Sequence, residues 1–150
     1  MIPIEFVVIG LPATAGSKRA FPFKRNDGSL GVRVTDDCKR SKPWQVEVSW
    51  KACEAYKGPV LTIPLRLEIT FYLPRPKHHF KTRKGEVSDQ VKPGAPTYPT
   101  TKPDRTKLVR CLEDALKGII WKDDSQVVEG FSRKLYGEPA RAEVKILGVE

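Results

Sequence analysis

The chain has 150 residues, with 27 Lys and Arg against 18 Asp and Glu, for a formal charge of +9. That length suits one domain with a core of modest size and argues against two. The basic excess favours a polyanionic partner, nucleic acid first, although charge by itself also keeps a protein soluble. Cys38, Cys53 and Cys111 are odd in number, widely spaced and without a CxxC pair, so neither zinc nor a disulfide framework is expected and a cytoplasmic location is. The opening "MIPIEFVVIGLP" lacks a charged leader and a cleavage site, and the longest apolar run, "VLTIPLRLEITFYLP", carries Arg66 and Glu68. Neither a secretion signal nor a membrane span is expected.

In chain order, "IEFVVIGLP" is rich in β-branched residues and predicts a strand over about residues 3–10. "PATAGSKRAFPF" reads as a loop. In "FKRNDGSLGVRV" the turn signal Asn26-Asp27-Gly28 lies between residues of strand type and predicts a hairpin. The segment "SKPWQVEVSWKACEAYKGP" gives two signals. Trp44, Val46, Val48 and Trp50 alternate as in a strand; Ser41 as a cap, Pro43, the Glu47–Lys51 spacing and Gly58-Pro59 speak for a helix. The helix weighs more, with Trp44, Val48, Ala52 and Ala55 on its buried stripe.

Leu65, Leu67, Ile69 and Phe71 alternate as in a half-buried strand, with Pro64 at its start. Residues 74–103 are poor in apolar side chains and rich in Pro, Lys and Arg, which predicts a mobile basic arm. Thr106–Lys117 is the clearest helix. Leu108, Val109, Leu112, Ala115 and Leu116 form one stripe and Lys107, Arg110, Glu113, Asp114 and Lys117 the other, with Asp104 or Thr106 able to cap it and Gly118 to end it. The rest reads as turn, strand, turn, strand. The expected architecture is a single α+β domain, a mixed β-sheet covered by two main helices.

Two carboxylates that share a Mg²⁺ must present oxygens within a few ångströms of one ion and leave room for water and phosphate. Asp104 heads the clearest helix, and Asp123 and Asp124 precede the next strand; if helix and strand pack, the second cluster returns toward the first. The plainer reading makes Asp104 a cap and Asp123-Asp124 a turn. Lys107 and Arg110 are placed to neutralise a phosphate, or to lie on a solvated face. His78 and His79 are adjacent, so in an extended segment they point apart and make a poor metal pair.

The stretch "KPDRTKLVRCLEDALKGIIWKDDSQVV" resembles the signature of the RusA family of Holliday junction resolvases, which reads PD-x-D-N-L-x-K, then DAL, a Gly, and DD-x-Q before an apolar strand. Weaker likeness extends to "GLPATAGSKRAF", "SKPW" and "RPKHHF". The resemblance implies a RusA-like fold and a homodimer that binds Mg²⁺ or Mn²⁺ and nicks two opposed strands of a four-way DNA junction. It also implies the cytoplasm as location, a host's if the gene is a phage's. Carried over by position, the metal set is Asp104 and Asp124, with Asp123 beside them and Thr106 where the family has its second Asp. The family lysine is Arg110 and the family Asn is Lys107. Lys18, Arg19, Arg75, Lys77, Lys81, Arg83 and Lys84 are the expected DNA contacts. Thr106 brings no charge to a metal, Lys107 adds a positive one, and Arg110 replaces a point charge by a fork. Two other readings stay open: a DNA-binding module of the same fold without chemistry, and a basic protein that grips RNA or single strands.

Overall fold

A computed structural model describes residues 1–16, 18–36 and 38–150, with backbone only for residues 18, 19 and 34–36. The expected side-chain contacts of Lys18 and Arg19 therefore lie outside the described residues. The elements in chain order are β1 (Ile4–Ile9), β2 (Lys18–Lys24), β3 (Leu30–Asp36), α1 (Ser41–Ala55), β4 (Leu65–Leu73), β5 (Phe80–Arg83), β6 (Glu86–Val91), α2 (Arg105–Leu116), β7 (Val127–Tyr136) and β8 (Arg141–Gly148), with single 3₁₀ turns at Lys77–His79 and Asp124–Gln126. A four-stranded sheet runs in the order β1-β8-β4-β7, and β2-β3 and β5-β6 are separate two-stranded ribbons. Only the β4–β7 pair in the main sheet is parallel; β8 is antiparallel to both β1 and β4. This is the expected α+β class.

The strict alternation of β4 turns Leu65, Leu67, Ile69, Phe71 and Leu73 inward. Against that face lie Trp44, Val48 and Ala52 of α1 and Leu108, Cys111, Leu112, Ala115 and Leu116 of α2. Among the described residues no helix covers the sheet's other face, which is lined by paired charges, Lys145 with Glu5, Arg66 with Glu68 and Glu129, and Arg141 with Glu143. Truncating a core residue such as Phe71 to Ala would cost about 3–5 kcal/mol.

Several expectations need correction. The loop reading of "PATAGSKRAFPF" ends early, because β2 begins at Lys18. Ser41 is buried in the first turn of α1 rather than capping it, Lys51 pairs with Glu54 instead of Glu47, and Ala55 is exposed. The stretch 74–103 is not structureless. It carries the β5–β6 ribbon, closed by Lys84 and Gly85 with φ of 51° and 80°, a two-residue turn that needs left-handed backbone at both positions. Its root is tied to the body: His79 packs edge-on to Tyr136, and the Arg75 guanidinium lies 4.3 Å over the same ring while donating to the Pro96 carbonyl. His78 and His79 sit in the 3₁₀ turn with ring centroids 4.5 Å apart, not pointing away from each other.

Candidate nuclease site

α2 begins at Arg105, with Asp104 in the N-cap position but making no side-chain cap bond. Its carboxylate is more than half exposed and lies 4.0 Å from the Lys107 ammonium. The head of the helix is held from both sides. Lys134 of β7 donates to the Thr101 and Pro103 carbonyls at 2.9 and 2.8 Å, and Arg105 donates to the Ser132 hydroxyl. On the other flank the β1–β2 loop crosses the helix, the Ala15 amide donating to the Lys107 carbonyl at 3.0 Å and Arg110 to the Gly16 carbonyl at 3.4 Å. Between loop and helix lies a cleft of about 420 Å³ lined by Thr14, Gly16, Cys38, Lys102, Asp104 and Lys107. Asp104 makes no cap bond, and its cleft lies at the positive end of the α2 dipole.

The second acidic cluster divides its labour. Asp123 caps the 3₁₀ turn, accepts from the Ser125 amide at 3.1 Å and holds the Lys117 ammonium at 2.9 Å. Those contacts, the Lys117 hydrogen bond first, keep the Asp123 carboxyl far below the ordinary range, and the same pairing raises Lys117. Asp123 therefore already has a structural task. Asp124 accepts from the fully buried Trp121 indole N–H at 2.8 Å through Oδ1. The turn is closed by Gln126, whose Oε1 accepts from the Lys122 and Asp123 amides, both at 2.9 Å, while its Nε2 donates to the Leu61 and Ile63 carbonyls at 2.9 and 3.1 Å.

The residue on α2 that Asp124 influences is one that the helical pattern puts on the solvated stripe. Glu113 is half-buried, and its carboxyl is raised first by that burial, then by the Asp124 and Asp114 charges. Thr106, Arg110, Glu113 and Lys117 recur at intervals of four, three and four residues, so they share one stripe of the helix. That spacing was the available signal. Thr106 is exposed two turns up the stripe from Glu113.

Among the described residues, no three His, Cys, Asp or Glu side chains converge as a metal cage. Mg²⁺ does not require one: it is usually held by one or two carboxylates, keeping water and taking substrate phosphate oxygens. The exposed Asp104 carboxylate suits that mode, but Asp124 does not line the Asp104 cleft: it lies by Trp121 and toward Glu113, nine residues along α2 from Asp104, so among the described residues the second acidic cluster returns to the far end of the helix and not to its head. Of the expected DNA contacts, Lys77, Lys81, Arg83 and Lys84 are exposed, whereas Arg75 is half-buried on Tyr136.

Comparison with known proteins places the chain among DNA-cleaving enzymes: a family model described as "Endodeoxyribonuclease RusA" matches residues 16–147. The protein belongs to the RusA endodeoxyribonuclease family. It is also similar to a protein of Bacillus subtilis (strain 168) named "Uncharacterized protein YqaN", at 33% identity over 143 residues covering 95% of this chain and 94% of that one. No helix among the described residues is long and apolar enough to cross a membrane.

Proposed function

We propose that the protein is a Mg²⁺-dependent endodeoxyribonuclease that resolves four-way DNA junctions by paired cuts, acting as a homodimer. The observation that carries the reading is the head of α2, an exposed Asp104 carboxylate committed to no cap, set in a cleft with Lys102 and Lys107 on its rim. The distribution of charge supports it. The open sheet face is occupied by mutually paired acids and bases, so the unbalanced positive charge falls on the two ribbons and the helix side.

In this reading Asp104 and Asp124 serve as metal ligands, each with water and phosphate oxygens completing the shell, and Thr106 offers a neutral oxygen beside Asp104. Bound there, Mg²⁺ supplies an activated water and offsets charge on the scissile phosphate. Lys107 and the positive end of the α2 dipole attract that phosphate. Arg110, fixed by its bond to Gly16, holds the β1–β2 loop against the helix and adds positive charge. Trp121 orients Asp124. The DNA contacts are Lys18, Arg19, Lys77, Lys81, Arg83 and Lys84, with Arg75 serving mainly to anchor the second ribbon. A two-fold dimer matches the approximate two-fold symmetry of the junction. A single folded unit spans residues 1–150.

The deciding experiment is cleavage of a synthetic four-way junction with and without Mg²⁺, using wild type and Asp104→Asn. Cleavage that requires the metal and is lost in the variant, with junction binding kept, is the expected result. Equal rates for the two proteins would sink the assignment. The second reading, a junction binder without chemistry, is favoured by one observation, the Thr106 that stands where the resemblance expects a carboxylate. Metal-independent binding with no cleavage would establish it.

A further inference from the structure

The β2–β3 ribbon is joined to the site and otherwise stands apart from the body. Its first root leaves the loop pinned on α2. Thr14 and Gly16 at one root and Cys38 at the other line the same cleft as Asp104, and the Thr14 hydroxyl reaches the Cys38 sulfur at 3.7 Å. Beyond the roots, among the described residues, the two strands pack chiefly on each other. The register sets Phe21 opposite Arg33 and Phe23 opposite Gly31, while Pro22 faces Val32. Because opposed residues share a face and neighbours alternate, one face carries Phe21, Phe23, Gly31 and Arg33.

Both rings are about half exposed, at 49% and 45%, and they stand two residues apart on one face of the ribbon. Phe23 is nonetheless placed. A Cβ on Gly31 would lie 2.6 Å from its Cζ and 3.2 Å from Arg25 Nε, so the bare glycine is the seat on which ring and guanidinium come together. Residues 18–36 hold five Lys and Arg against two acids, and one of those acids, Asp27, is engaged by Ser29 in the turn. Aromatic faces interleaved with arginine on a basic ribbon fit a chain of bases and phosphates.

We propose that this face stacks Phe21 and Phe23 on DNA bases that are unpaired or unstacked, with Arg33 on the adjoining phosphate. The proposal rests on the reading of the protein as DNA-acting and adds to it how a branch point is told from plain duplex. At about 3.3 Å per residue, Phe21 and Phe23 stand about 10 and 17 Å from the root at Lys18. The rings would meet bases a few steps from the phosphate held at Asp104.

The test compares wild type with the double variants Phe21→Leu/Phe23→Leu and Phe21→Tyr/Phe23→Tyr, on oligothymidylate, a blunt duplex and a four-way junction at one salt concentration. Leucine keeps apolar bulk and removes the π-face. The leucine pair should lose at least about 5-fold on oligothymidylate and on the junction, the low end for one stacked base. Its duplex affinity should be unchanged, and the tyrosine pair should bind like wild type. A separate Phe21→Trp variant should show indole quenching when oligothymidylate is added. Equal binding by the leucine pair on all three probes, an equal loss on all three, or no quenching would overturn the proposal. So would a shift from dimer to monomer in light scattering with uniform loss, which would make the ribbon a contact between subunits. Failure of the nuclease reading is a different result: wild type then neither cleaves nor prefers the junction, while the oligothymidylate arm still tests the ribbon.

Discussion

Asp124 is asked to do two things, and two substitutions separate them. The Trp121 indole is fully buried, and its N–H donates to Asp124 Oδ1 at 2.8 Å. In Asp124→Ala that donor loses its protein partner, at a cost of about 1–3 kcal/mol. For a domain of this size each kcal/mol moves the midpoint of thermal unfolding by about 2–4 °C, so a fall of about 2–12 °C is expected. Asp124→Asn keeps an oxygen for the indole and loses only the charge, about 1 kcal/mol or less. It also removes the carboxylate that raises Glu113, which offsets part of that cost. Cleavage should vanish in both variants, because neither amide nor methyl replaces a carboxylate on a hard cation. Melting by circular dichroism and junction cleavage in Mg²⁺ read the two roles separately. If Asn and Ala melt together, the Trp121 bond does not orient the residue; if Asn still cleaves near the wild-type rate, Asp124 is not a metal ligand.

Replacing Lys77, Lys81, Arg83 and Lys84 by Ala should weaken junction binding and flatten its salt dependence by about 0.9 in log-log slope for each phosphate no longer neutralised, measured by a salt titration; an unchanged slope would make the second ribbon a spectator. Thr106→Asp should lower the Mg²⁺ concentration at half-maximal cleavage, since it adds a carboxylate to the stripe that carries Glu113, and a higher requirement in a metal titration would mean the residue faces away. His79 is lowered by burial first and then by the His78, Arg75 and Lys92 charges, so it is held neutral against the Tyr136 ring. A base depressed in the folded state binds fewer protons there than when unfolded, so its contribution is complete above its ordinary value of 6.5 and is lost as pH falls below it. Thermal melts from neutral to mildly acidic pH should show that loss, and His79→Gln should flatten it.

Much of this architecture could be read from residue order, and the exceptions share a cause. α2 and β4 were legible because one face of each is apolar and the other is not. α1 was ambiguous because Val46 and Trp50 lie exposed while Trp44 and Val48 are buried, so neither period is clean. The second ribbon was missed because its strands are almost wholly exposed and so carry no hydrophobic pattern. What holds it is a turn at Lys84-Gly85 and a packing of His79 and Arg75 on Tyr136, a residue far along the chain. Glu113 was hidden for another reason. A glutamate on a polar stripe looks solvated until the chain beyond the helix is folded back and brings the charge of Asp124, eleven residues further on, near it.

The Gln126 clamp changes what the most recognisable part of the sequence stands for. With four hydrogen bonds it fastens the turn after α2 to the strand entry at Leu61 and Ile63, and Asp123 caps that same turn. The run from Asp123 to Gln126 is therefore a folding device, and in the proposed function one of its carboxylates, Asp124, also serves chemistry. Selection for a folded, DNA-gripping domain would preserve three of those four positions in a lineage that had given up cutting. The positions free to drift are on the helix, at Thr106 and Lys107, where nothing in the scaffold depends on a carboxylate. Ancestry and activity are thus written in different letters of one motif, and a catalyst could be lost or regained here by changing α2 alone.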